Sequence, residues 1–203
     1  MGYTTEFDGY FKLSRQLTET EKEYIQKFND IRHMRRDVDK LHKVYNGKYG
    51  NPFAKTREEV YGREGEYFVG GDGIKWNFGE EIRRQDETIL DYNEPPCTPV
   101  QSNNSWTVYW NLRQNMIATG QAVPGLWCQW TVDKAGTRLE WDGGEKFYYY
   151  SEWLKYLITH FFDKWGVKLT GIVYWQGEDR EDSGKLEITN NILSITKAKH
   201  SYD

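Results

Sequence analysis

An α+β fold is what this sequence predicts, on three observations. Residues 3–14 alternate polar and apolar side chains with a period of two, as a half-buried strand does. Tyr24, Ile25, Phe28, Ile31 and Met34, and later Trp153, Leu154, Leu157, Ile158, Phe161 and Trp165, recur at helical spacing on one stripe each. Between Pro124 and Gly166 an aromatic hairpin runs directly into the second of those helices, and a helix so apolar on one face must cover a sheet.

In chain order, the first strand carries Phe7, Phe11 and Leu13 on one face and Glu6, Asp8 and Lys12 on the other. Thr18 followed by Glu21 has the spacing of a capping box, so a helix is expected from about Glu19 to about Arg36. From Lys40 to Val123 the periodicity disappears. Turn formers crowd residues 46–52, and a glycine-rich stretch follows from Gly62 to Gly73. Phe53, Tyr67, Phe68, Trp76, Phe78, Tyr92, Trp106, Tyr109 and Trp110 make this segment too aromatic for a disordered linker, so an ordered, irregular lobe inserted into one domain of residues 1–203 is expected. Within it, residues 105–110 read as a strand because of their β-branched and aromatic content.

Leu126 to Val132 and Thr137 to Trp141 read as strands of a hairpin reversed at Asp133–Gly136. The second helix ends at Gly166, where a left-handed C-terminal cap belongs. Val167 to Gln176 alternates again, and Lys185–Thr189 and Ile192–Lys197 form a last hairpin whose Asn190-Asn191 turn tolerates positive φ. With the lobe removed, the order is βαββαβ plus a hairpin. That is the split-βαβ pattern of a ferredoxin-like antiparallel sheet with two helices on one face.

Composition narrows function only broadly. Hydrophobic residues make up 37% of the chain and aromatic ones 16%, with nine Trp and fifteen Tyr, so a small aromatic core lies under a polar surface. A net charge of -4 gives no whole-chain case for nucleic acid. Cys97 and Cys128 have no metal-like spacing, and the histidines at 33, 42, 160 and 200 form no metal motif. No metal or cofactor is expected. With neither a signal peptide nor an apolar run of membrane length, a soluble cytoplasmic protein is expected, with no membrane partner.

Several groups invite a chemical reading beside a structural one. The glycines of residues 65–73 let backbone amides approach an anion, but the segment lacks the Lys-Ser/Thr ending of a phosphate loop; tight packing of the lobe explains them equally. Arg32, Arg35 and Arg36 suit the C-terminal end of the first helix, and alternatively contact an anion or an acidic partner. Cys128 is read as a structural thiol rather than a nucleophile. Glu66, Asp72, Asp86, Asp91, Glu140, Asp142 and Glu145 could serve as acid, base or metal ligand only if they converge in space. No catalytic residue is assigned. Strand alternation puts Trp127 and Trp130 on opposite faces, so one face of the sheet presents aromatic surface to the lobe, a ligand or a partner.

Five segments together, residues 4–7, 65–71, 91–96, 124–130 and 140–147, resemble a family of conserved proteins found in bacteriophages and bacterial genomes, with residues 97–122 standing as an insertion. The resemblance implies no activity. It implies a phage or prophage setting and the cytoplasm of a bacterial host, where such a protein is expected to capture a host protein or a nucleotide-like small molecule, with countering host defence as one purpose. The recognition set expected from these segments is Glu66, Tyr67, Phe68, Gly70, Gly71, Asp72, Asp91, Tyr92, Asn93, Trp127 and Trp130. The alternatives are a metal-dependent enzyme acting on nucleotides or nucleic acid, and a nucleic-acid-binding protein using the arginines at 32, 35 and 36.

Overall fold

The fold is built on a six-stranded antiparallel sheet, seen in a computed structural model that describes residues 2–70, 86–96 and 106–198. In chain order the elements are β1 (Thr5–Leu13), α1 (Glu19–Asp30), β2 (Arg35–Arg36), α2 (Val38–Tyr45), α3 (Arg57–Tyr61), β3 (Ile89–Asp91), α4 (Trp106–Ala118), β4 (Trp130–Val132), β5 (Arg138–Trp141), α5 (Tyr150–Leu157), a π-helical turn (Ile158–Phe162), β6 (Leu169–Gly177), β7 (Ser183–Thr189) and β8 (Ile192–Lys197). The sheet order is β4-β5-β1-β6-β7-β8, and β2 and β3 pair separately. None of the described helices is long and apolar enough to cross a membrane.

Local sequence explains most of these elements. The capping box forms as expected: Thr18 accepts from the Glu21 amide at 3.3 Å, and the Glu21 carboxylate accepts from the Thr18 amide at 2.8 Å. Arg15 grips the same carboxylate with both terminal nitrogens at 2.7 and 2.8 Å, which ties the strand end to the helix start. The last hairpin turns on Asn190 and Asn191 at φ 51° and 70°, and Gly166 adopts φ 67° beyond the second helix.

The register places side chains on two faces. Phe11 lies opposite Leu139 and Gly171, and Leu13 opposite Leu169. These, with Trp130, Val132, Val173, Leu186 and Ile188, meet Tyr24, Ile25 and Phe28 of α1 and Trp153, Leu154, Leu157 and Phe161 of the second helix in one buried cluster. Trp130 is fully buried, with Phe7, Phe11 and Phe147 at ring separations of 5.4 to 5.8 Å, and its indole nitrogen donates to the Tyr150 carbonyl at 2.8 Å.

Four expectations are corrected. The first helix stops at Asp30: Ile31 is extended at φ -102° and ψ 157°, and the His33 amide donates to the Leu126 carbonyl at 2.8 Å, so tertiary pairing pulls residues 31–36 off the helix axis. The basic residues at 32, 35 and 36 therefore do not complement a helix dipole. Residues 106–110 open a helix rather than a strand; Arg113 and Ile117, four apart, are buried, and Gly120 at φ 74° follows the end. The strand expected from Leu126 begins only at Trp130. Residues 40–123 are also less irregular than expected, since α3, α4, β3 and most of α2 lie there.

The described part of that middle segment docks on the helices. The Tyr24 hydroxyl on α1 donates to the Tyr67 carbonyl at 3.0 Å, and Phe53 meets Trp165 at 5.3 Å. A second, small cluster of Leu41, Tyr61 and Phe68, with Val38, Tyr45 and Val60 against it, is its own apolar centre. Among the described residues, none of the helices covers the far face of the sheet, where Tyr10 and Tyr174 are exposed.

Candidate recognition surfaces

The expected recognition set divides into buried, bonded and surface groups. Glu66, Phe68 and Gly70 are buried, as is Trp130, while Gly71 and Asp72 lie outside the described residues. Burial raises the Glu66 carboxyl, which accepts from the Glu64 amide at 2.7 Å. Phe68 packs in the small cluster, and the Arg36 guanidinium sits 4.6 Å from the centre of its ring. Trp130, fully enclosed, offers nothing to a ligand, which corrects its expected role.

Tyr67 and His160 form a clasp. The Tyr67 hydroxyl lies 2.7 Å from Nδ1 of His160, and Nε2 lies 3.1 Å from the Gly120 carbonyl. A carbonyl only accepts, so Nε2 carries the proton and Nδ1 accepts from Tyr67. Burial holds the imidazole down at about 4 and pushes the Tyr67 phenol up to about 12. Both groups are neutral at physiological pH and joined to each other. The π turn carries His160, so the glycine-rich segment, the turn after α4 and the second helix all meet at one ring.

The three arginines meet acceptors of this same chain. Arg32 donates from Nε to the Tyr92 carbonyl at 3.0 Å, and its guanidinium lies 4.4 Å from the Tyr92 ring centre and 5.6 Å from that of Trp127. Arg35 pairs with Glu64 at 2.7 Å and with Glu94 at 3.6 Å. Arg36, nearly buried, pairs with Asp86 at 2.6 Å and donates to the Thr88 hydroxyl at 2.6 Å. Burial opposes the Asp86 charge, yet the Thr88 and Arg36 bonds hold its carboxyl below the usual range. The expected anion contact is thus realised inside the molecule: the acidic residues facing Arg35 and Arg36 belong to the lobe. This geometry does not present a rake of cations to phosphate. Asp91 accepts from the Asn93 amide at 2.8 Å in a local turn, with Asn93 exposed beside Tyr92.

Burial also decides the thiol. Cys128 is a buried free cysteine whose thiol is pushed up, the reverse of what activates a nucleophile. Among the described residues, no group of three His, Cys, Asp or Glu side chains is placed to hold a metal ion.

The bare face of the sheet is the larger candidate, and it was only half anticipated. Tyr10 stands opposite Ile172, and Asp8 opposite Tyr174, which in turn faces Lys185. Tyr10 is 46% exposed and Tyr174 56%. Arg138 lies 4.8 Å over the Tyr10 ring, and Lys185 is held by Glu187 at 2.7 Å. Toward the β7–β8 side a groove of about 560 Å³ opens, walled by Glu6, Asp8, Tyr174, Gln176, Lys185 and Thr196. That volume lies in the range of small-molecule and peptide side-chain pockets, roughly 300–1,000 Å³. The signal for this face was the same alternation that gave β6: Ile172 and Tyr174 occupy the polar-phase positions of the strand, where an apolar or aromatic side chain has no core to enter.

Comparison of the chain with protein-family models, curated proteins and solved structures gave no match.

Proposed function

We propose that this protein is a non-enzymatic binding protein that presents the bare face of its sheet to a protein partner. One observation carries this reading: Tyr10, Ile172 and Tyr174 stand together on a face that the described residues of the helices and the lobe leave uncovered, beside a groove of about 560 Å³. Tyrosine gives contact area at small entropic cost and keeps a hydroxyl for hydrogen bonding, which is why it is enriched in recognition surfaces. Around these rings lie charges of both signs, Asp8, Lys12, Arg138, Lys185 and Glu187, which set orientation more than affinity. Cys128, Tyr67 and His160 are taken up in packing and hydrogen bonds within the chain.

The phage-type setting and capture of a host protein in the bacterial cytoplasm belong to this reading. So does the ferredoxin-like assignment, supported by the sheet order β4-β5-β1-β6 with α1 and α5 as the two crossovers. A nucleotide-like ligand is the competing occupant of the groove. Capture from host lysate by the wild-type chain, repeated with Tyr10→Ala/Tyr174→Ala and with Asn93→Ala, tests the reading. The double variant is expected to lose a partner that Asn93→Ala keeps. Loss confined to Asn93→Ala moves recognition to the lobe, and a melting shift with nucleotides that needs Tyr174 replaces the protein partner by a small molecule.

A further inference from the structure

His33 and Trp153 are in ring contact at a centroid separation of 5.1 Å, and they are 3% and 0% exposed. Each carries one buried polar atom, His33 Nε2 and Trp153 Nε1, without a hydrogen-bond partner among the described residues. Orphaned polar atoms are rare in native interiors, because each forfeits the hydrogen bonds that water supplied in the unfolded chain. Two on touching rings call for one explanation.

The two atoms have complementary roles. Nε2, and not Nδ1, is the orphaned nitrogen of His33, and with the proton of the neutral ring on Nδ1 it is an acceptor. Burial keeps that ring neutral, with its titration lowered to about 3. Trp153 Nε1 is a donor only. Both residues also meet one turn: the His33 backbone amide donates to the Leu126 carbonyl at 2.8 Å, and a Cβ placed on Gly125 would stand 3.9 Å from Trp153 Nε1. Glycine at that position leaves the indole N–H uncapped by a side chain.

We propose that a single internal water molecule resides between His33 and Trp153 under the Pro124-Gly125-Leu126 turn, donating to Nε2 and accepting from Nε1–H. A neutral molecule with both a donor and an acceptor satisfies the two atoms, whereas an anion would be repelled by Nε2 and a cation by the indole proton. Interior waters of this kind make about three hydrogen bonds and pin the elements they join. Here they would be the end of α1, the second helix and the turn that leads to Trp127. The site is separate from the bare sheet face and stands whether or not that face binds a partner.

Nuclear magnetic resonance on the full chain tests it. The expected results are an Nδ1–H tautomer for His33 and a cross-peak of a long-lived water to the Trp153 indole proton. An Nε2–H tautomer, or an indole proton with no water cross-peak, overturns the proposal. A stability cycle gives a second reading: Trp153→Phe and His33→Leu each strand one atom and are expected to lower the folding equilibrium constant about tenfold through it, while the double variant costs less than the sum. Strict additivity, or a direct His33–Trp153 bond or a larger molecule in a crystal structure, also overturns it.

Discussion

The sandwich and the lobe of this protein are held by different kinds of contact. Under the helices, side chains from β1, β4, β5, β6 and β7 and both long helices merge into one aromatic and aliphatic core. The lobe has Leu41, Tyr61 and Phe68 as its buried apolar centre. Besides Val69 and Val123, which reach the main core, it is held by polar contacts: the Arg36–Asp86 and Arg35–Glu64 pairs that tie it to the segment after α1, and the Tyr24–Tyr67 and Tyr67–His160–Gly120 links to the helices. A core of apolar rings tolerates a change of pH except where His33 packs against Phe28 and Trp153, and a hydrogen bond that depends on one imidazole tautomer does not tolerate it. The lobe is therefore the part whose attachment conditions can loosen, and the sandwich is the part that sets the total stability.

Acid is expected to have the largest effect. His160 and His33 have folded-state values lowered to about 4 and about 3, below the unfolded value near 6.5, so the unfolded chain binds their protons first. Stability is thus full above pH 6.5 and falls as pH drops toward 4, by on the order of 3 kcal/mol for each ring. Urea titrations across this window check it, and His160→Gln should remove about half of the slope. An unchanged slope would mean that the clasp is not closed.

Trp130→Ala comes next, at about 4 kcal/mol, because it empties the centre of the sandwich. Its signature is one cooperative transition at a lower denaturant midpoint. Arg36→Ala, which leaves Asp86 half-buried and unpaired, is expected to cost ~3 kcal/mol. Here the comparison sharpens, since amide exchange should accelerate in residues 35–41 and 86–91 before it does in β1 or β6. Tyr67→Phe keeps the ring and deletes the bond to His160, for ~1 kcal/mol by thermal melting. Tyr174→Ala on the bare face should change stability by less than about 0.5 kcal/mol, and any effect it has on partner capture is then a contact effect.

The parts of the fold legible in the sequence are those fixed by near neighbours. Alternation marked β1 and β6, the Thr18–Glu21 spacing marked the start of α1, and Asn190-Asn191 marked the last turn. The end of α1 was hidden because a partner 93 residues away in sequence, Leu126, takes the His33 amide. Helix α4 was hidden because Thr107, Val108, Tyr109 and Trp110 favour strands locally, and it is the burial of Arg113 and Ile117 that decides otherwise. The site followed the same division. An aromatic sheet face was foreseeable from strand period alone, but period puts Trp127 and Trp130 on opposite faces without saying which faces the core, and the packing of Phe7, Phe11 and Phe147 around Trp130 decides it. Whether an arginine serves a ligand or an internal carboxylate depends on convergence across the fold. Glu64 and Asp86 resolved Arg35 and Arg36 in favour of the interior.

The π turn at residues 158–162, where the Asp163 amide reaches back five residues to the Ile158 carbonyl at 2.9 Å, has a consequence for the chain's tolerance of shortening. One surplus residue is wound into that turn, and an α-helix advances about 100° per residue. Excising the surplus position would restore regular winding and leave Phe161, Phe162 and Trp165 facing as they do, whereas the same excision in the regular turns of α5 would swing them around the axis by that angle. A one-residue deletion is therefore absorbed at the π turn and disruptive just before it, where it would disengage the imidazole that three segments share.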